Sequence, residues 1–440
     1  MNEYFQLHNS HLKGALVYKK TDPQLLKLQE LKYIHSPKEI DKFLKLPTGI
    51  YTLSGGRQIG KSTLLKQWVL RLVESQVPPQ SIRYITGELI SDHKELVRLL
   101  GEHVDKNSNQ ERLYIICDEV TDIAHWDKGI KFLADAGKLT KVILMLSGSD
   151  SSIIKEARNR LPGRRGEAVE VDFHFSPLSF KETVELKYGD NFLEAPLKKL
   201  FHEYLIHGGF LTAINKYAQH SEIPPSTFTT YTQWILGDMA KRGKSEAYLM
   251  EVLRAITIKM GSQVTWNSLA KELSIDHHKT VSDYLHLLED LDVVFIQSAL
   301  IEDKLVGAPK KAKKVYFTDP FIYHSVCSMF HEEAHYFPIL RKEMENSSAL
   351  GSIVELVAIQ HISRAHPRKA FYIKSEGEVD IAYVNGSSFY PIEIKWGQQI
   401  RAKDIKQIRK YKNGEVWGQY EDQSAHPPVH DLIKKLLSLA

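Results

Sequence analysis

Between residues 50 and 175 the chain alternates short apolar runs with stretches of helical period. The apolar runs are Ile50 to Ser54, Ile82 to Thr86, Leu113 to Cys117 and Val142 to Ser147. Nearly continuous hydrophobic strands separated by helices predict a parallel α/β sheet. From about 178 to 240 the strand-like runs stop, and segments such as LKKLFHEYLIHGGF follow a helical period, which predicts a helical lid. Gly208-Gly209 reads as a hinge inside it, and Phe228, Tyr231 and Trp234, every third residue, read as a core face. Residues 245 to 300 form a tight run of helices ending in VVFIQSALI, followed by a Lys-rich loop and the strand Val315 to Thr318, the order of a winged helix. After a linker around 331 to 350, a helix from Ser352 leads into FYIK, VDIAYV and SFYPIEIKW, then a basic helix from Ala402. The boundaries this pattern predicts are an N-terminal segment 1–45, an α/β domain 46–177, a lid 178–240, a winged-helix domain 241–330 and a second α/β domain 331–440.

Composition narrows the class. A chain of 440 residues, 42% hydrophobic and 25% charged, has the makeup of a globular protein rather than a disordered one. No apolar run reaches the roughly 18 residues of a membrane helix, and the polar start MNEYFQLHNSHLK is unlike a signal peptide, so the expectation is a cytoplasmic protein with no membrane partner. Two cysteines, Cys117 and Cys327, exclude a disulfide framework or a thiolate zinc site. With 58 basic against 54 acidic residues, any basic footprint for nucleic acid must be local.

The strand IYTLS is followed by Gly55-Gly56-Arg57-Gln58-Ile59-Gly60-Lys61-Ser62-Thr63, a complete G-x-x-x-x-G-K-S/T at a strand-to-helix junction. Glycines let successive backbone N–H groups turn onto a polyanion, and the helix N-terminus adds positive potential at the same point. Lys61 is placed for the β and γ phosphates of ATP, and the Ser62 hydroxyl for Mg²⁺. The run Leu113 to Cys117 ends in Asp118-Glu119, a strand-end acid pair of the kind a P-loop requires on a neighbouring strand. Asp118 would hold the Mg²⁺ shell and Glu119 would activate water as a general base; the alternative is an acidic pair at a solvated turn. Ser147-Gly148-Ser149 occupies the place of a γ-phosphate sensor or of an ordinary strand-to-helix turn. Arg158, Arg160, Arg164 and Arg165 are candidate arginine fingers, acting within the chain or from a neighbouring copy in a homo-oligomer.

At these blocks the sequence resembles the bacterial and archaeal ATPases that join an AAA-type P-loop domain to a C-terminal domain of unknown function. GGRQIGKSTLLKQ, IICDEV, HWDKGIKFL, LSGSDSSII, LPGRRGEAVEVDFHFSPLSFKE and YLIHGGF stand in that family's order. The resemblance implies nucleotide and Mg²⁺ chemistry for Lys61, Ser62, Asp118 and Glu119, a sensor strand at Ser147 to Ser149, and the family's G-R arginine at Arg164. It has no counterpart for the first 45 residues.

Two further constellations concern DNA. Trp266 to Leu273, the turn Ser274-Ile275-Asp276 and the helix His277 to Leu291 have helix-turn-helix order. Such a module would aim His277, His278, Lys279, Thr280 and Ser282 at a major groove, with Lys310, Lys311, Lys313 and Lys314 as a wing on phosphates; the alternative is a packing module with a solvated lysine loop. In the C-terminal region, Gly377 to Val384, an Asn385-Gly386 turn and Phe389 to Lys395 read as a β-hairpin. Side chains alternate faces, so Glu393 and Lys395 share one, and a connecting loop of even length adds Asp380. Glu355, on the preceding helix, extends toward the same point. Carboxylates beside a lysine suit divalent-metal phosphodiester hydrolysis, with Asp380, Glu393 and Glu355 on Mg²⁺ or Mn²⁺ and Lys395 positioning water. This set resembles the PD-(D/E)xK nuclease and Holliday-junction-resolvase superfamily, with Val379 at the place of the motif's Pro. A nuclease-like fold used only for binding, or plain salt bridges, would produce the same pattern. Arg401, Lys403, Lys406, Arg409, Lys410 and Lys412 read as a phosphate-tracking or a solvated helix face.

The expected architecture is therefore an AAA-type P-loop α/β domain with helical lid, a winged-helix domain and a restriction-endonuclease-like α/β domain. The expected function is a Mg-dependent ATPase coupled to double-stranded or branched DNA. The alternative is an ATP-dependent switch whose C-terminal half is a non-catalytic binding module.

Overall fold

The computed structural model describes residues 7–149, 151–190, 194–273, 275, 277–331, 335–397 and 399–439. Two compact units divide the chain, Met1–Ser176 and Pro177–Ala440. No helix among the described residues is long and apolar enough to cross a membrane.

In the first unit, β1 (Gly49–Ser54), β2 (Ile82–Thr86), β3 (Leu113–Asp118), β4 (Val142–Ser147) and β5 (Asp172–His174) form one parallel sheet in the order β2-β3-β4-β1-β5. Both faces of β1, β3 and β4 are buried, which is why their sequences are continuous apolar runs. On one face, Ile115, Leu144 and Leu146 belong to a core with Leu96, Leu100, Ile130 and Leu133 of helices His93–Lys106 and Trp126–Asp135. The fifth strand, only three residues long, escapes the apolar pattern. The acid strand β3 is not the neighbour of β1 as the sequence suggested: β4 lies between them. Short helices Ala15–Thr21, Pro23–Gln29 and Glu39–Phe43 precede the sheet.

The second unit opens with helices Phe180–Tyr188, Leu197–His207, Leu211–His220 and Pro225–Lys241. Phe228 and Tyr231 are buried, their rings 5.7 and 4.7 Å from that of Phe321 in helix Pro320–Ser328. Gly208-Gly209 forms a tight junction. A Cβ on Gly208, at φ 55, would overlap the buried Asp319 carboxylate, and one on Gly209 would overlap the Leu178 backbone. Helices Glu246–Ile258, Trp266–Glu272 and His278–Asp290 then lead to β6 (Val294–Ser298), β7 (Leu300–Ile301), β8 (Val306–Gly307) and β9 (Lys313–Phe317), with β6 antiparallel to β9. Ser274 and Asp276 of the expected turn lie outside the described residues.

The expected linker at 331–350 contains helix Phe337–Glu343, whose Phe337 and Leu340 are buried. Helix Ser347–Ala365 precedes a five-stranded sheet of β10 (Ala370–Lys374), β11 (Glu378–Asn385), β12 (Ser388–Ile394), β13 (Glu415–Gly418) and β14 (Val429–Asp431), paired in chain order. Pairing is antiparallel from β10 to β12 and parallel from β12 to β14. Asn385 pairs with Ser388, so the hairpin loop is Gly386-Ser387, not Asn385-Gly386; it is of even length. The expected basic helix from Ala402 is instead two 3₁₀ turns, Ala402–Ile405 and Ile408–Lys410. Ile405 and Ile408, three residues apart, both enter the core under β11 and β13.

Candidate functional site

The phosphate loop takes its shape from its glycines. Gly55 has φ 151 and a Cβ there would overlap the Phe175 carbonyl; Gly60 has φ 107, and Gln58 between them is also left-handed at φ 59. Helix Lys61–Glu74 starts at the end of this turn, which places Ser62 and Thr63 in its first turn. Ile59 anchors the loop in the core. Lys61 is only 4% exposed, and its Nζ donates to the carbonyls of Gly55 (2.8 Å) and Gly56 (3.0 Å), closing the loop on itself.

Asp118 ends β3, 5% exposed. Its two oxygens accept from two hydroxyls: Ser147 Oγ of the intervening strand on Oδ1, and Tyr84 Oη of β2 on Oδ2 at 2.5 Å. Ser147 Oγ in turn accepts from the backbone N–H of Glu119 (3.1 Å). Glu119 is left-handed at φ 50, and Gly87 leaves the space its carbonyl needs. Burial pushes the Glu119 carboxyl above its ordinary range, with Lys61 opposing the shift. Burial also raises the Cys117 thiol, so that residue is part of the strand core.

The structure places the four arginines on carboxylates. Arg164 Nε donates to Asp135 at 2.5 Å, Arg158 Nε to Asp172 at 2.9 Å, and Arg160 lies 3.6 Å from Asp127. Arg165, buried, ties β1 to β5 through the Ile50 carbonyl, Thr52 and Asp172.

In the second unit, Asp380 on β11 and Glu393 on β12 share a sheet face with Lys395. Lys395 Nζ is 2.7 Å from Glu393 Oε1 and 3.9 Å from Asp380 Oδ2, and the backbone N–H of Ile394 donates to Asp380 Oδ2 at 2.8 Å. Glu355 comes in from helix Ser347–Ala365, its Oε1 accepting from Tyr316 Oη at 2.9 Å. The lysine expected on a wing belongs here too. Lys314 is 1% exposed on β9, paired with Glu378 and 4.0 Å from Glu355. Gly261, Lys314, Tyr316, Glu355, Glu378 and Asp380 border a polar cleft of about 180 Å³. Burial first, then Asp380, pushes Glu355 up to about 7 and Glu393 up to about 8. For Lys314 and Lys395, burial acts against the charge, but the surrounding carboxylates outweigh it and raise both.

Among the described residues no group of three or more His, Cys, Asp or Glu stands as a ready metal cage. The donor set is nonetheless suited to a divalent cation. Four carboxylates face two ammonium groups, and Glu393 Oε2 is buried with no hydrogen-bond partner. The other basic residues are dispersed. Lys313 Nζ donates to the carbonyls of Ala308 and Pro309, Arg409 to that of His426, and Lys410 pairs with Glu376, whereas Arg401 and Lys403 are exposed. His277, His278 and Lys279 are exposed at the start of helix His278–Asp290, with Thr280 and Ser282 half-buried. Sequence reasoning missed Tyr84, Tyr316 and Glu378. Only Glu378 carried a signal, two residues before Asp380 and therefore on its face.

Residues 47–184 match the family model of an AAA domain, and the parallel sheet with its phosphate loop makes this a P-loop α/β domain. Residues 198–333 and 350–420 match two domains of unknown function, DUF8612 and DUF4143. An uncharacterised protein of Haemophilus influenzae is 27% identical over 282 residues, 61% of this chain and 67% of that protein. Among solved structures, a Walker-type ATPase of Pyrococcus abyssi is 14% identical with TM-score 0.46, covering 66% of this chain and 94% of its own. A RuvB variant of Thermotoga maritima is 15% identical with TM-score 0.30, covering 58% and 85%.

Proposed function

We propose that the chain is a Mg²⁺-dependent ATPase whose C-terminal half acts on DNA. The observation that supports it most is the pairing of a closed phosphate loop, Gly55 to Thr63, with a buried Asp118 whose two oxygens are oriented by hydroxyl donors. In this reading the loop amides and Lys61 bind the β and γ phosphates, and Ser62 and Asp118 hold Mg²⁺. The metal supplies neutralisation of phosphate charge when bound. Glu119, made more basic by burial, accepts a proton from the attacking water, and Arg164, once released from Asp135, is the candidate finger. Calorimetry with ATP and Mg²⁺ tests the reading: micromolar binding that Lys61→Ala abolishes supports it, and no heat with ATP or GTP removes it.

For the C-terminal half we assign 178–240 as lid, 241–330 as winged helix and 331–440 as nuclease-like domain. Asp380, Glu393 and Glu355 would hold Mg²⁺ or Mn²⁺, which supplies Lewis-acid polarisation of a phosphodiester, while Lys395 fixes the water. Metal-dependent nicking of a duplex or junction that Asp380→Ala abolishes is the expected result. A second reading rests on Lys314. This buried cation already lies among three of the carboxylates, as in a binding module whose acids serve as an ion-pair network. Absence of nicking, with a shift in oligomeric state between ATP and ADP, would favour that switch.

A further inference from the structure

Edge strand β2 carries the residue that reaches Asp118, and what covers that edge is the segment for which the sequence offered no role. An edge strand leaves backbone groups unpaired. At Tyr84 both are taken up by one side chain: Asn9 Nδ2 donates to the Tyr84 carbonyl at 2.8 Å, and the Tyr84 N–H donates to Asn9 Oδ1 at 2.9 Å. Asn9 is itself 1% exposed. His11 Nε2 lies 3.2 Å from the Ile82 carbonyl one pleat away.

The tyrosine ring is held from the same segment. Lys66, buried, sits with Nζ 3.7 Å from the Tyr84 ring centroid. Its ammonium pairs with Asp22 at 3.0 Å and donates to the His8 carbonyl at 3.1 Å. The His8 ring stacks on Tyr84 at 5.9 Å. Position, ring plane and hydroxyl direction of Tyr84 are thus set by residues 8 to 22 together with Lys66.

A buried carboxylate needs donors that keep it ionised and aimed. The Tyr84 hydroxyl supplies one of the two hydroxyl donors on Asp118, at 2.5 Å from Oδ2. We propose that Tyr84 is a positioning residue of the nucleotide site, aiming the Asp118 carboxylate at the metal, and that the N-terminal segment acts through Asn9 to keep it in place. This rests on the ATPase reading above.

The experiment is a Mg²⁺ titration of ATP hydrolysis in the full chain, comparing wild type, Tyr84→Phe and Asn9→Ala. Tyr84→Phe removes one of the two hydroxyl donors that hold the Asp118 carboxylate, so its aim loosens and its metal contact weakens. The half-saturating Mg²⁺ concentration should rise about fivefold to tenfold, with kcat at saturating Mg²⁺ changed less than about threefold. The Mg²⁺ concentration that supports binding of a fluorescent ATP analogue should rise by the same factor. Asn9→Ala should shift both in the same direction by a smaller factor, which keeps the test open should Tyr84→Phe fail to fold. A merely structural tyrosine would lower the urea midpoint and leave both Mg²⁺ dependences unmoved; that result overturns the proposal. A wild type with no hydrolysis overturns the ATPase reading and this inference with it.

Discussion

At the end of β3, Asp118 lies between two hydroxyls, from Tyr84 and Ser147, whereas at β11 and β12 Asp380 and Glu393 face the ammonium group of Lys395, with Lys314 entering from β9. Hydroxyl donors aim a carboxylate and leave its charge for an incoming cation to answer. Lysines answer the charge themselves. The first centre therefore suits the metal proposed for it, while the second already contains half the positive charge its acids call for, and burial pushes Glu355 and Glu393 toward neutrality.

The largest expected effect separates aim from chemistry at the first centre. Glu119→Gln keeps the size of the side chain and removes the proposed base, so turnover should fall about 10²-fold to 10⁴-fold. Nucleotide binding, followed by titration with a fluorescent ATP analogue, should stay within about threefold of wild type. Loss of binding as well would place Glu119 on the bound metal and not on the water.

At the second centre the decisive change is Lys314→Met. Removing one partner from a buried ion pair costs about 3–5 kcal/mol, because the remaining carboxylate charge stays in place. Urea unfolding at pH 8 should show that loss, and Glu378→Gln added to Lys314→Met should recover part of it. A loss below about 1 kcal/mol would mean that water, not Lys314, solvates the acids.

How much of each centre was legible follows from how each is assembled. Gly55 to Thr63 are contiguous and Asp118-Glu119 end a strand, so local pattern sufficed. Asp380, Glu393 and Lys395 were reachable because strand parity is a local rule and the Gly386-Ser387 loop is even. Lys314 was not, because the run from Lys310 to Lys314 looks like a solvated loop. Once β9 begins at Lys313, Lys314 and Tyr316 turn to one face and become a buried cation and donor. Tyr84 had no local signal at all; its partners are Asn9, 75 residues before it, and Asp118, 34 after. The expected solvated face failed for a related reason, since Ile405 and Ile408 enter the core within a run whose charges mark it as exposed.

A smaller effect tests the hydroxyl side. Ser147→Ala leaves Asp118 with one hydroxyl donor and removes the acceptor of the Glu119 N–H, so about 1–3 kcal/mol of stability should go. The Mg²⁺ requirement of hydrolysis should rise alongside. A change in stability with no change in Mg²⁺ requirement would show that Tyr84 aims the carboxylate alone.

Asp319 offers a third way of holding a buried acid. Its oxygens accept from the backbone N–H groups of Gly209 and Phe321, each at 2.8 Å, with neither a hydroxyl nor a lysine among those donors. Burial pushes its carboxyl from 3.8 to about 7, the two amides and Arg364 opposing. Between those values the folded chain binds the proton more readily than the unfolded one, so stability should decline as pH rises from about 4 to 7 and level off above it. One group contributes at most about 1.4 kcal/mol per pH unit. The difference in unfolding free energy between wild type and Asp319→Asn, followed across that window, isolates this carboxylate from the histidines that titrate beside it. A sloping difference places Asp319 with Glu355 and Glu393, acids whose surroundings do not fully support their charge. A flat one means that two backbone amides hold it ionised, and then directed donors alone are sufficient to keep a buried carboxylate charged without a cation.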